Sequence, residues 1–239
     1  MSISIVTLVS GTEQSVGDGI TAPVRCLVRY PDQSLRPAIF KRLEPEGVAA
    51  EVFCALLLRG WGLLVPDPAI VLGDSIGFAS IDVGYPSLKQ KIGWSSTLPP
   101  QVRLILEHSG AKLVAGFADT PKAISVDEAI DNRDRNLGNL LWDGSTVTWI
   151  DHERCFGREN LPDINKLVGL VLASGLDHSE IQRAAIGIAL TLGRQVIKDA
   201  EAACGTLSVA NFATEVSSRL GPLATKVLQR FPQPQDLLV

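Results

Sequence analysis

An α+β fold in two lobes is predicted by three features of the sequence. The first forty residues alternate short β-rich runs with turns bearing Gly or Pro. Residues 139–142 and 147–150 are two short apolar runs joined around Asp143-Gly144, the pattern of a β-hairpin. From about Asp163 onward the periodicity is helical. A β-rich front and a helical back imply two lobes. The character changes at Pro86, which divides the chain into a β-rich N-terminal lobe, 1–85, and a mainly helical C-terminal lobe, 86–239.

The front half reads as follows. Residues 3–9 form a first strand. Gly11, Gly17 and Gly19, with Ser10, Thr12 and Ser15, punctuate the stretch after it. Residues 24–30 form a second strand, Pro31-Asp32-Gln33-Ser34 carries turn chemistry, and residues 37–43 form a third. This order predicts an antiparallel meander. A helix is expected over 47–59, where Ala49, Ala50, Val52, Phe53, Leu56 and Leu57 make an apolar stripe and Gly60 and Gly62 stop it. Short strands are expected within 65–81, around Pro66, Pro68 and Gly73-Asp74.

The back half opens with a helix over 98–117 that has a proline-rich start. Ser125-Val126-Asp127-Glu128 fits a capping box opening a short helix. A helix over 181–200 places Ile186, Leu190 and Ile197 at core spacing. Gly221-Pro222 separates the last two helices, and Pro232 and Pro234 end the final one.

Of 239 residues, 46% are hydrophobic and 20% charged, enough apolar content for a large core and too much for disorder. The net charge of −4 supplies no global attraction to nucleic acid or to an anionic membrane, so direct nucleic-acid binding is not expected. Cys26, Cys54, Cys155 and Cys204 are scattered without a C-x-x-C pair, and there are three histidines. That disfavours zinc and fits buried, reduced thiols in a cytoplasmic protein. Residues 1–10 are apolar but lack Lys or Arg, a poor signal peptide. The apolar run 167–192 is broken by Asp177, His178, Glu180 and Arg183, so no membrane span is expected. Trp61, Trp94, Trp142 and Trp149 are spread out and read as core or interface.

The most informative stretch is Asp131-Asn132-Arg133-Asp134-Arg135-Asn136-Leu137-Gly138-Asn139, followed by Trp149-Ile150-Asp151-His152. Phosphoryl transfer needs hard oxygen ligands for Mg²⁺ and a carboxylate at the attacking hydroxyl. Asp134 and Asn139 have the D-x-x-x-x-N spacing of a kinase catalytic loop, in which Asp meets the hydroxyl and Asn the metal. A four-residue turn would set Asn139 opposite Ile150, so that Asn139 and Asp151 share one end of the ribbon and a metal; a two-residue turn would slide Asp151 outward. Phe40-Lys41 ends the third strand and Glu51 lies in the next helix, the order in which kinases hold a phosphate-binding lysine. Arg36 and Arg42 flank the same strand and leave the identity of that cation open. Taken alone, Lys41 and Glu51 read more simply as a solvated surface pair.

These segments resemble the HipA-like kinases, relatives of the lipid and protein kinase superfold. Ile39-Phe40-Lys41 resembles the family's nucleotide-lysine strand. Ala50-Glu51-Val52-Phe53-Cys54, through Gly62-Leu63-Leu64-Val65-Pro66, resembles its glutamate helix and Gly-Leu-x-Val-Pro ending. The catalytic and metal loops are matched by residues 132–139 and Ile150-Asp151. The similarity runs from Lys41 to Asp151 and implies a two-lobed, protein-kinase-like fold.

It further implies an ATP- and Mg²⁺-dependent serine/threonine kinase. Asp134 would be the base, Asn139 and Asp151 the Mg²⁺ ligands, Lys41 the phosphate contact and Glu51 its orienting partner. Ile81 and Asp82 would fall in the adenine-binding hinge. Ser15 would be a candidate for silencing phosphorylation, in a stretch, residues 10–18, that is either a phosphate-covering loop or a plain hairpin turn. A protein substrate and an antitoxin or neighbouring-gene partner would follow. Asn136 stands where many relatives have His, and His152-Glu153 replaces Phe-Gly. The sequence is also shorter than full HipA toxins and is expected to lack their extra N-terminal subdomain. Two other readings are a non-catalytic kinase-fold module and a small-molecule or lipid kinase.

Overall fold

The structure is a computed structural model that describes residues 3–16, 22–73 and 76–233. Gly17 and Gly19 of the first glycine-bearing stretch, Asp74 of the later turn and Pro234 lie outside the described residues. The chain forms two compact units. The first comprises Met1–Tyr85, Thr148–Arg154 and Gly193–Thr214, and the second Pro86–Val147, Cys155–Leu192 and Glu215–Val239.

The first unit is built on six strands: β1 (Ser4–Leu8), β2 (Gln14–Ser15), β3 (Val24–Arg29), β4 (Leu35–Lys41), β5 (Pro68–Val71) and β6 (Gly77–Ile81). They pair in the order β1-β5-β6-β4-β3-β2, and β1 also pairs with β3, so the ladder closes on itself. The expected antiparallel pairing holds for β3 and β4, with Val24 opposite Phe40 and Arg29 opposite Leu35. β1 additionally runs parallel to β5, Ser4 opposite Ala69. No local pattern announces that pairing, because a helix separates the partners in sequence. Ser15 lies on the exposed strand β2, opposite Val24.

Alternation along β3 and β4 turns Cys26, Val28, Ala38 and Phe40 into one core with Val6, Ala69, Val71 and Ala79. Lys41, one residue beyond Phe40, therefore falls on the other face of its strand. Gly77 of β6 makes room for Phe40. A Cβ there would lie 2.2 Å from the Phe40 ring atom Cε2.

Helix α1 (Pro45–Gly60) starts with Pro and Glu46 in its first turn, both favourable at a helix N-terminus. Gly62, at φ +80°, ends it. Glu51 is the only charged residue on the buried face of α1. Helix α7 (Arg194–Ala203) packs against α1, and the Phe53 and Phe212 rings meet at 6.3 Å.

The second unit contains α2 (Leu88–Lys91), α3 (Pro100–Gly116), α4 (Thr120–Ala129), α5 (Lys166–Ala173), α6 (Ser179–Ala189) and α9 (Leu223–Arg230). Strands β7 (Leu140–Trp142) and β8 (Val147–Trp149) pair in a two-stranded sheet, and α8 (Ala210–Arg219) precedes α9. Helix α4 buries Ala123, Ile124, Val126 and Ala129 against α6 and α9.

Two expectations are corrected. Ser125 does not open a helix; it lies in the middle of α4, which starts at Thr120 with Pro121 in its first turn. The Ser125 hydroxyl donates to the carbonyls of Pro121 at 3.2 Å and Ala185 at 2.7 Å. The capping box is at Ser87 and Gln90, on α2. The helix expected over 181–200 is two helices, α6 and α7. Gly193 adopts an extended conformation ahead of α7, and the Thr191 hydroxyl bonds back to Ile188. Both are poor helix formers, and Leu190 is 74% exposed rather than core.

All four cysteines are buried and free. Among the described residues no helix is long and apolar enough to cross a membrane.

Gly77→Ala is expected to drive the Phe40 ring from its position and to destabilise the protein by about 1–3 kcal/mol. Denaturant titration checks this. Phe40→Leu, which shortens the obstructing side chain, should reduce that cost in the double variant.

Candidate active site

In the first unit, four ionisable side chains meet at the end of β4. The Lys41 ammonium lies 2.6 Å from Glu51 Oε1, 2.5 Å from Asp151 Oδ1 and 3.3 Å from Glu153 Oε2. The backbone N–H of His152 donates to Glu51 Oε2 at 3.0 Å. One glutamate thus ties strand, helix and the segment after β8 together. Asp151 sits at φ +72°, a region disfavoured for residues with a Cβ. Strain of this kind persists only where surroundings impose it.

Electrostatics keeps Lys41 and Glu51 charged. Burial by itself would push the Lys41 ammonium toward neutrality. The Glu51, Asp151 and Glu153 carboxylates outweigh it and hold the amine well above the ordinary lysine range. Burial likewise opposes ionisation of Glu51, but Lys41 and His152 hold its carboxyl well below the usual carboxylate range. Burial raises Glu153, with Asp151 and Glu51 adding repulsion against the pull of Lys41.

The neighbouring cations are employed elsewhere. Arg36 lies 4.4 Å from the centroid of the Tyr30 ring, and Arg42 lies 5.3 Å from that of Phe40. The cation of the cluster is therefore Lys41, and its pair with the buried Glu51 is no solvated surface contact.

Ile81 ends β6, and its N–H donates to Asp67 O at 3.0 Å. The N–H of Asp82 donates to Pro37 O at 3.0 Å, and its carboxylate pairs with Arg25 at 2.5 Å. The backbone N–H groups of both residues are thus engaged within the fold.

The second unit holds Asp134 and Asn139. The loop from Asp131 to Asn139 is anchored from beneath by two acids of α4. Asp127 receives the Arg135 guanidinium, at 3.0 and 2.8 Å, and the Asn132 amide at 3.0 Å. Glu128 receives Arg133 in a fork at 2.8 and 3.1 Å and also Arg230 at 3.0 and 2.8 Å. Asn132 Oδ1 accepts the Asp134 N–H, and Asn136 Oδ1 accepts the Gly138 N–H, two turns closed by side chains. Asn139 lies in a short 3₁₀ turn, Leu137–Asn139, and is buried. Between these anchors Asp134 stays partly exposed, its Oδ1 2.6 Å from Lys166 Nζ. The turn between β7 and β8 uses four residues, 143–146, the length on which the expected register depended. Asp143 closes it by accepting from Ser145 and Thr146 N–H groups.

No family model matches the chain, and no curated protein matches it. Solved structures do. The crystal structure of a Helicobacter pylori proinflammatory kinase, CtkA, superposes with a TM-score of 0.54 over 96% of each chain at 12% identity. A chain from the Shewanella oneidensis complex of the toxin–antitoxin proteins HipA and HipB with operator DNA superposes with a TM-score of 0.58. That match covers 92% of this chain and 68% of the other, at 14% identity. The chain shares the fold of these two proteins.

Within this HipA-like fold, several residues escaped sequence reasoning. Glu153 joins Lys41, and its signal was a second carboxylate two positions after Asp151. Lys166 reaches Asp134 from 32 residues downstream, and no spacing rule marks it. Asp127 and Glu128 were legible as acids of a helix, but not as the anchors of Arg135 and Arg133.

The Glu128 carboxyl yields an acid-stability prediction. Burial alone would raise it, but hydrogen bonds and charge from Arg133 and Arg230 pull it from 4.5 down to about 2. Ionised Glu128 therefore stabilises the fold above about pH 4.5, and this contribution is lost as pH falls toward 2. Glu128→Gln is expected to flatten that part of the pH–stability curve. It should also cost about 3–5 kcal/mol at neutral pH, because buried cations lose their partner. Urea midpoints between pH 7 and pH 2.5 check both; equal slopes in variant and wild type would refute the assignment.

Proposed function

We propose that this chain is an ATP- and Mg²⁺-dependent serine/threonine protein kinase of the HipA-like type, acting in the cytoplasm. The observation that carries this reading is the buried Lys41–Glu51 pair with Asp151 and Glu153 around the same ammonium. A lysine kept charged in that way is suited to phosphate oxygens, and a helix glutamate fixes where it stands.

The donor set fits magnesium. Glu51, Asp151 and Glu153 offer carboxylate oxygens within 4.8 Å of one another, the hard ligands that Mg²⁺ takes. Glu51 is committed to Lys41 and the His152 N–H, which leaves Asp151, whose side chain is 36% exposed, as the carboxylate for the ion. In this reading Asp151 and Asn139 hold Mg²⁺, with Glu153 as a further acid beside it. The ion, when bound, neutralises charge that develops on the phosphates.

The remaining chemistry belongs to the chain's own residues. Lys41 pairs with phosphate oxygens. Asp134, fixed by Asn132 and charge-paired with Lys166, orients the acceptor hydroxyl and takes its proton. Residues 1–85 serve as the nucleotide-binding lobe, with Ile81 and Asp82 in the hinge, and residues 86–239 as the helical lobe that carries the catalytic loop. A protein hydroxyl is the acceptor. The HipA–HipB complex among the similar structures motivates an antitoxin-like or neighbouring-gene partner.

Thermal denaturation with ATP and Mg²⁺ tests the proposal. Nucleotide at a hundred times its Kd should add roughly 2.7 kcal/mol of stability. Asp151→Ala should remove the Mg²⁺-dependent part of that gain. Asp134→Ala should keep the gain and lower phosphate transfer by about 10²–10⁴-fold. Transfer by Asp134→Ala at the wild-type rate would overturn the role of Asp134, and the absence of any nucleotide-induced shift would overturn the function.

A further inference from the structure

A cavity of about 980 Å³ opens in the second unit beside the catalytic loop. Leu104, Leu137, Ile164, Val168 and Leu172 give it an apolar body. Leu104 and Ile164 are 68% and 51% exposed, so this apolar surface faces solvent rather than core. Two residues of its lining touch Asp134. Lys166, one of its lining residues, has its Nζ 2.6 Å from Asp134 Oδ1. Asn136, another, donates from Nδ2 to the Asp134 carbonyl at 3.0 Å.

Its charged lining is basic. Lys89, Arg135, Lys166 and Arg230 stand against Glu107 alone, in a chain whose net charge is −4. Three of those cations are already paired: Arg135 with Asp127, Lys166 with Asp134, and Arg230 with Glu128 and Asp163. Lys89 has no carboxylate partner among the described residues. Its ammonium lies 4.1 Å from the centroid of the Trp94 ring, whose Nε1 donates to Glu107 at 2.8 Å.

We propose that this cavity binds the phosphoryl acceptor, and that the acceptor is a protein segment whose serine or threonine is flanked by a bulky apolar side chain and an acidic one. The inference rests on the function proposed above, through the role of Asp134. The apolar side chain occupies the wall that Leu104 and Ile164 contribute, and the acidic one meets Lys89. A peptide presents both at once, and the volume suits more than one side chain. In the reaction the hydroxyl oxygen forms a bond to the γ-phosphorus of ATP, the bond from that phosphorus to the β,γ-bridging oxygen breaks, ADP leaves, and the hydroxyl proton passes to Asp134.

A positional-scanning library of serine and threonine peptides, incubated with the full chain, ATP and Mg²⁺, tests this. Wild type should select Leu, Ile or Phe, together with Asp or Glu, near the acceptor. Lys89→Glu should replace the acidic preference with a basic one. Leu104→Glu should weaken the apolar selection about tenfold, the loss expected for one apolar contact. Ile164→Glu serves as a second variant should the first fold poorly, with melting curves checking both.

A wild-type protein that ATP and Mg²⁺ stabilise, but that phosphorylates no peptide or selects none of these side chains, would overturn the inference and leave phosphotransfer standing. Unchanged preferences in both cavity variants would do the same. A protein that shows neither nucleotide stabilisation nor peptide phosphorylation would remove the proposed function and the inference with it.

Discussion

A carboxylate with 1% of its surface exposed must be neutralised by partners within reach, and Glu51 imposes that demand on the first unit. Its helix could otherwise slide or rotate along an apolar face, since Val48, Val52, Phe53, Leu57 and Leu58 are buried without directional preference. The carboxylate removes that freedom. It requires Lys41 at the end of β4 on one oxygen and the backbone N–H of His152 on the other. Three chain segments, one of them 101 residues from Glu51 in sequence, are thereby held in one register, and the left-handed backbone at Asp151 is tolerable because its neighbour is bound.

The loop from Asp131 to Asn139 answers a similar problem by a different route. Alternate residues go inward: Arg133 and Arg135 are 7% and 1% exposed and are forked onto Glu128 and Asp127. The residue between them, Asp134, is left at the surface with its main chain fixed by Asn132. Arginine suits these anchoring positions because its planar fork satisfies a carboxylate with two parallel hydrogen bonds. A lysine there would leave carboxylate lone pairs unsatisfied. The arrangement leaves Asp134 partly accessible while its main chain is held by Asn132.

Much of this was legible in the residues. β3, β4 and α1 follow from alternation, turn chemistry and an apolar stripe, and the hairpin at Asp143-Gly144 follows from its turn residues. Asp134, Asn139, Asp151, Lys41 and Glu51 could be singled out as candidates because spacing and order survive in a linear string, and of these the structure joins Lys41, Glu51 and Asp151. What was hidden depends on tertiary proximity. The parallel pairing of β1 with β5 has no local signature, and Lys166 meets Asp134 only because α5 folds back. Ser125 misled because a Ser-x-x-Glu pattern is equally compatible with the middle of a helix when the hydroxyl finds a carbonyl on a neighbouring helix. Leu190 misled because apolar periodicity continues across Thr191 and Gly193, where the backbone does not.

Buried charge is concentrated in two places. Among the described residues, the buried Asp, Glu, Lys and Arg residues are Glu51, Asp127, Glu128, Arg133 and Arg135. Every one belongs either to the Lys41 cluster or to the anchors of the loop from Asp131 to Asn139. Desolvated ion pairs rarely improve stability over an apolar core of equal volume. A fold stabilised only by packing would have no use for five of them in these two places, when 46% of its residues are hydrophobic. Their concentration is understandable if fixed dipoles and charges, already oriented before any ligand arrives, are what these two regions supply. Packing then accounts for the fold, and the buried charges account for the fixed geometry of these two regions.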